Sequence, residues 1–280
     1  MTNDELMLKS LQYRKKTLNL IKKANTGHTG GDLSSTDILS VLYNRILNVS
    51  PENFQDSNRD RFIMSKGHSV EVLYTVLADC GFFPETDLNS VGKYQSPFVG
   101  HPTRDIPGIE QNTGALGHGL SIATGMAIAG KKDKAPYKVF TLLGDGEMAE
   151  GSNWEAFMLA AHYKLDNLIA IVDRNQLQIT GHTEEVCSLE PLKDKIMSFG
   201  WAVKSIDGHN VSELIDALQD LPFQTDKPSF IIANTIKGKG VSFMENNKKW
   251  HHGVPSDEQF ELAIAELDKQ INDLNAMSVN

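Results

Sequence analysis

The chain is predicted to be α/β, a parallel sheet with helices on both faces, on three observations. Apolar runs and helical segments alternate through its second half, the pattern of successive strand–helix units. The runs YKVFTLL, NLIAIVD, WAVKSID and SFIIANT read as buried strands, as expected where helices cover the sheet on two sides. The first of them stops at an acid between two glycines, Gly144-Asp145-Gly146, at the carboxyl end where open α/β sheets bind ligands.

Each element has its own signal. Leu6, Leu11, Leu18 and Ile21 recur at helical spacing and predict an amphipathic helix over 4–24. Gly27-His28-Thr29-Gly30-Gly31 breaks it, and a second helix capped by Ser35 or Thr36 is expected to run through ILSVLYNRIL. RDRFIMSKGH reads as a short strand ending in a glycine turn, with a helix over 69–80 behind it. Residues 81–111 hold four prolines and read as a long, mobile surface segment, of a length that is commonly functional. NTGALGHGLSIATGMAIAG predicts a small-residue helix opened by glycines and suited to an anion at its start. Further helices are expected near 150–163, 190–199 and 211–220, then a polar, mobile stretch over 237–255, then a last helix near 257–274. No repeat or linker interrupts the chain, so residues 1–280 are expected to form one domain.

Composition narrows the function. At 40% hydrophobic and 22% charged residues, the chain can bury a core. Its 36 acidic against 27 basic residues give −9, which argues against nucleic-acid or anionic-membrane partners but leaves room for a local phosphate pocket. Cys80 and Cys187 stand apart in unrelated contexts and imply neither a disulfide framework nor a thiolate zinc site. The start lacks the apolar core of a signal peptide, and the expected location is the cytoplasm.

Six of the nine histidines follow a glycine directly: His28, His68, His101, His118, His182 and His209. Turn histidines at strand ends are candidates for proton transfer, since imidazole titrates near neutrality. Glycine and histidine also both tolerate turns, which explains any single pair equally well. None of the nine has the i, i+4 spacing of a helical zinc pair.

Two successive strand ends each deliver an oxygen-bearing side chain, Asp145 and then Asn175. One carboxylate, one amide oxygen and one backbone carbonyl form a half-shell of hard oxygens suited to Mg²⁺ or Ca²⁺, which leave other positions to water and phosphate. The flanking glycines would let a diphosphate approach. Two strand-end turns built on Asx geometry would produce the same residues.

The Gly144-Asp145-Gly146 turn, residues 147–174 and the closing Asn175 resemble the thiamine-diphosphate signature, and the chain as a whole resembles the amino-terminal half of transketolase. TGHTGGDLSS, SKGH and FVGHPTR resemble the family's three early histidine turns, TGALGHGLSIATGMA its glycine-rich cofactor loop, GDGEMAEGSNWEA with DRNQLQITG its metal segment, and KGKGVSFMEN with WHHGVP its late histidine loop. The resemblance implies that Asp145, Asn175 and the carbonyl of Leu177 bind Mg²⁺ or Ca²⁺. It implies that His68, Leu116, Gly117 and Gly146 line thiamine diphosphate, and that His28, His101 and His252 face the sugar. Glu150 and Glu155 correspond to acids of an interface between paired sites, although acids also suit the first turn of any helix.

Departures from the family pattern are few. Ala115 and His118 stand where many relatives have proline and glutamine, and His251-His252 leaves the late histidine open by one residue. The largest is length: the pyrimidine-binding half of a transketolase is absent. A separate carboxy-terminal subunit is therefore expected, in a heterotetramer that acts on sugar phosphates. The alternatives are a subunit of a deoxyxylulose-phosphate-type synthase or of a 2-oxo acid dehydrogenase first component, and a non-catalytic protein retaining the fold.

Overall fold

Five strands, β1 (Arg61–Met64), β2 (Val139–Gly144), β3 (Leu168–Arg174), β4 (Ala202–Asp207) and β5 (Ser229–Asn234), pair in the order β1-β2-β3-β5-β4. Every pairing is parallel, with Gly144 level with Asp173 and Arg174 level with Asn234. This is a computed structural model and describes residues 1–278; Val279 and Asn280, included in the expected single domain, lie outside the described residues.

Nine α-helices are present among those residues: α1 (Asn3–Ala24), α2 (Thr29–Val41), α3 (Val70–Asp79), α4 (Gly119–Asp133), α5 (Gly151–His162), α6 (Thr183–Val186), α7 (Leu192–Ser198), α8 (Val211–Gln219) and α9 (Asp257–Ser278). They cover both faces, as predicted. One core cluster sets Ile169 and Ile171 of β3 against α2, α3 and α8 through Leu39, Val72 and Leu214. The other sets Leu168, Ala170 and Val172 against α4, α5 and α7 through Ala123, Phe157 and Ile196. Topology accounts for the division. The order steps one way from β2 through β3 to β4, placing α5 and α7 on one face, then reverses into β5. Right-handed crossovers send the connecting α8 to the opposite face on that reversal.

The strand expected to be buried at WAVKSID is instead the edge strand β4, with no residue of Ala202–Asp207 buried, and two helix starts also differ from the sequence reading. The glycine turn at 27–31 does not separate two helices at a distance; α2 begins within it, at Thr29. Ser35 and Thr36 are not caps. Their hydroxyls bond back to the carbonyls of Gly31 and Asp32, at 2.8 and 2.9 Å, inside a helix buried along its whole length. Close approach explains why glycine opens this helix: a Cβ on Gly30 would stand 2.8 Å from the carbonyl oxygen of Trp250. The small-residue helix likewise starts later than expected, at Gly119, after a loop in which Gly114 and Gly117 have positive φ.

The two segments expected to be mobile both contribute to the core. Residues 82–109 send Phe82, Phe98 and Ile109 onto α3, while Val241, Met244 and Trp250 join Leu18, Leu33 and α9 in a third cluster. A buried polar chain fixes the start of this late segment. Arg14 grips Asp37 with two bonds of 3.0 and 2.5 Å, and Asp37 also accepts from Nδ1 of His209 at 2.7 Å. Nε2 of His209 accepts from the backbone N–H of Ile236 at 2.8 Å, so Nδ1 is the ring nitrogen that donates to Asp37. Burial alone would raise the Asp37 carboxyl, but Arg14 and His209 outweigh it and hold it well below the usual range.

Removing one member of a buried pair strands the other. Asp37→Ala should lower unfolding free energy by about 3–5 kcal/mol in urea denaturation at pH 7. Because the folded-state pKa is depressed, the contribution is present above the ordinary carboxyl range and is lost as pH falls through the folded value. The gap between the two proteins should therefore narrow in strong acid.

Candidate active site

Four neighbouring strand ends converge. The chain beyond β1 supplies Lys66 and His68, beyond β2 Asp145 to Glu147, beyond β3 Asn175 and Leu177, and beyond β5 Lys237. With Leu116 and His251 they line a cavity of about 290 Å³. Of the residues predicted from sequence to hold a cofactor or metal, His68, Leu116, Asp145, Gly146, Asn175 and Leu177 line it directly. Gly117 stands behind them with its N–H bonded to Glu147 at 2.8 Å. At φ +87°, with a built Cβ only 2.5 Å from Cβ of Glu150, this position admits glycine alone.

The oxygen donors are held from beneath. Asp145 is buried; its Oδ1 accepts from the N–H of Gly146 at 2.8 Å, and its Oδ2 from the N–H of Gln176 and from Arg174 at 3.2 Å. Gln176 has φ +65°, a left-handed turn that brings Leu177 back beneath the β2 end. Asn175 donates its amide to Asp173 at 3.1 Å, and its Oδ1 accepts from the N–H of Leu177 at 3.1 Å. The carbonyl of Leu177 already faces a cation, the Lys237 ammonium at 2.7 Å. A carboxylate, an amide oxygen and a peptide carbonyl are hard donors of the type Mg²⁺ and Ca²⁺ accept. Among the described residues no group of three or more His, Cys, Asp or Glu side chains could hold a metal ion. The donors at the strand ends are thus oxygens of the type that suits a hard cation.

Sequence reasoning missed Lys66, Glu147 and Lys237, because single lysines and glutamates are ordinarily surface residues. Glu147 accepts from the N–H groups of Gly117 and Gly144, at 2.8 and 2.9 Å, and from the Ser65 hydroxyl, so one side chain ties three loops together. Lys237 is buried, and burial with the nearby Lys66 charge lowers its ammonium to about 8. Only the glycines around Asp145 hinted that backbone packs closely here.

His28 is the centre of an imidazole cluster. Its ring lies 5.2 Å from that of His68, 6.3 Å from His101, 5.8 Å from His251 and 4.7 Å from His252. All the histidines predicted to face substrate are therefore together, with His251 added. The structure divides the doublet that sequence left open. His251 lines the cavity, stacks on His68 at 5.4 Å and meets Lys237 at 3.0 Å, while His252 lies exposed beside His28. His118 and His182 are exposed, and His209 serves the buried chain to Arg14. Glu150 and Glu155 are exposed at the start of α5.

Residues 8–270 match the family described as "Transketolase, thiamine diphosphate binding domain". The chain belongs to the transketolase family. It is 49% identical to an apulose-4-phosphate transketolase subunit of Phocaeicola vulgatus, over 97% of this chain and 96% of that protein. It is 44% identical to the 6-deoxy-6-sulfo-D-fructose transketolase subunit SqwG of a Clostridium species, over 92% of this chain and 94% of that one. The solved transketolase of Campylobacter jejuni superposes with a TM-score of 0.82 at 29% identity, over 97% of this chain but 48% of that one. The chain thus spans about half the length of the solved transketolases that it matches. As a transketolase-family domain it binds thiamine diphosphate, and the line of cations and glycine turns along the strand ends suits the anionic part of that cofactor.

The imidazoles are set to be neutral at rest. Burial and the neighbouring His252 and His101 lower His28 to about 4, and burial with Lys237 lowers His251 to about 3. Burial and Lys66 also lower His68. Depressed folded values mean that the stability they contribute is complete above the unfolded value of 6.5 and is lost as pH falls through about 4. Imidazole NMR should find His28 neutral at pH 5, and thermal stability should fall from pH 6.5 to 4; a charged His28 at pH 6 would refute this.

Proposed function

We propose that this chain is the amino-terminal subunit of a split transketolase, moving a two-carbon ketol unit from a ketose phosphate to an aldose phosphate once a separate pyrimidine-binding subunit completes the site. One observation carries the reading. The strand ends that present the oxygen donors and buried lysines open beside an imidazole cluster, so an anchoring region and a proton-transfer region adjoin. Two features support a missing half. The similar subunits named above are of nearly the same length, and the cavity lies at the small end of the roughly 300–1,000 Å³ found for small-molecule sites.

Asp145, Asn175 and the Leu177 carbonyl would hold Mg²⁺ or Ca²⁺, with Gly146 and the Lys237 ammonium beside the diphosphate. Leu116 and Gly117 would border the thiazolium ring. Thiamine diphosphate supplies the nucleophilic carbon and the electron sink of ketol transfer when bound. The protein supplies position and protons. Imidazoles at His28, His101 and His252 can each take a proton at a ring nitrogen from a sugar hydroxyl and return it when the acceptor adds. His251, pressed between His68 and Lys237, is placed to orient rather than to exchange. Glu150 and Glu155, exposed here, are available to a carboxylate contact with a paired site, and an α2β2 assembly would provide one.

The test is reconstitution. The chain should show ketol transfer only with a carboxy-terminal partner, on a panel that includes apulose 4-phosphate and 6-deoxy-6-sulfofructose, the sugars in the relatives' names. Asp145→Ala and Asn175→Ala should each weaken thiamine-diphosphate binding at least tenfold, read as loss of the ligand-induced rise in Tm. Equal loading by the variants, or robust turnover by the chain alone, would overturn the assignment.

A further inference from the structure

Two carboxyls unused by the proposed chemistry lie beneath the histidine cluster. Asp32, in α2, is 0% exposed and Glu71, in the first turn of α3, is 1% exposed. The two side chains come within hydrogen-bonding reach of each other. Asp32 Oδ1 accepts from the N–H of Val72 at 3.0 Å, and the Glu71 carboxyl meets the backbone N–H of His28. Asp32 Oδ2 and Glu71 Oε2, by contrast, receive no donor from any other described residue. Two buried carboxylates carrying two charges would repel at contact distance, with no water to screen them.

No cation resolves this. The nearest, Lys66, spends its ammonium on the Gly31 carbonyl at 3.0 Å and on Asp173. Arg14, on α1, is committed to Asp37. The Tyr74 phenol donates to the carbonyl of Val99 at 2.9 Å. His28 and His68, on the turns just ahead of the two helices, are both biased toward the neutral form by burial and neighbouring positive charge. The geometry assigns one shared proton to Asp32 and Glu71, forming an O–H···O bond that ties the first turns of α2 and α3 and so holds the backbone of His28 in place. Both residues are positioning residues. The remaining single charge sits near the positive starts of two helices, which favours it.

Burial, and for Asp32 also the Glu71 charge, raises both carboxyls. A raised folded value gives stability that is complete in acid, below the ordinary carboxyl range, and is lost as pH rises through the folded value. The depressed histidines act in the opposite sense, so the pair is isolated by comparing proteins rather than pH values. The inference rests on the fold alone and needs neither cofactor nor partner.

Infrared spectra of the full-length chain in D₂O at pH 6 should show a protonated-carboxyl C=O stretch that is weaker in both Asp32→Asn and Glu71→Gln. Asp145 and Glu147, also raised by burial, contribute equally to all three proteins. Between pH 5 and 9 the parent should lose on the order of 5–10 °C of Tm relative to Asp32→Asn, whose amide donates in place of the shared proton. Asp32→Ala should displace the His28 imidazole resonances, and Asp32→Asn should restore them. Glu71→Gln carries the same comparisons if an Asp32 variant fails to fold. Identical carboxyl bands, parallel Tm curves, or an unmoved His28 in Asp32→Ala would overturn the assignment.

Discussion

The carboxylate of Asp173, fully buried at the end of β3, accepts from the Lys66 ammonium, the hydroxyls of Ser34 and Thr235, and the amide of Asn175. These donors come from α2 and from the turns that follow β1, β3 and β5, so one acid joins four parts of the chain. Burial alone would raise its pKa; Lys66 and the hydroxyls of Ser34 and Thr235 reverse that and hold it low. A buried ion pair is a poor source of net stability, because desolvating two charges costs several kcal/mol each. Its value is geometric. With Oδ2 of Asp173 accepting from Lys66, Ser34 and Asn175, and Oδ1 from Thr235, the Asn175 amide sets its nitrogen toward the acid and its oxygen toward the turn that carries Leu177. The oxygen half-shell at the β2 and β3 ends depends on that orientation.

The same economy of backbone explains what could be read from the sequence. Strands such as NLIAIVD and a turn such as Gly144-Asp145-Gly146 are local features, and their identity survived folding unchanged. The early glycine–histidine turns were legible because glycine marks places where chains must pass closely, and three of them meet around His28. The start of α2 was not legible. Capping rules favour Ser35 and Thr36, yet the decisive constraint is the backbone of Trp250, more than two hundred residues away, pressing on Gly30. Lys66, Asp173, Lys237 and Glu147 were illegible for the same reason. A charged residue announces its burial only through partners that lie far along the chain.

Electrostatics at the site run against the protein as a whole. The chain carries −9 formally, yet the cavity gathers Lys66 and Lys237 with imidazoles that resist protonation, and its nearest acids are each answered by a specific donor. A site of neutral bases beside the Lys237 ammonium, which bonds a carbonyl and an imidazole rather than an acid, favours an anionic ligand without requiring the histidines to be charged. Were those imidazoles protonated at rest, they would attract phosphate but could not accept a proton from a hydroxyl.

The division of labour between this chain and a partner follows from where rigidity is stored. Everything that orients the strand-end donors comes from within the chain: Asp173 beneath Asn175, Glu147 behind Gly117 and Gly144, and the Arg14–Asp37–His209 chain ahead of Lys237. Each is a buried polar contact between elements that the sheet already fixes, so none waits on another polypeptide. Ile179 over the cavity, and Glu155 with Met158 and Leu159 on α5, are among the residues left exposed. In the proposed split assembly, a half-site built this way would keep its anchoring geometry independent of the partner, and assembly would govern only whether the reacting end of the cofactor is enclosed.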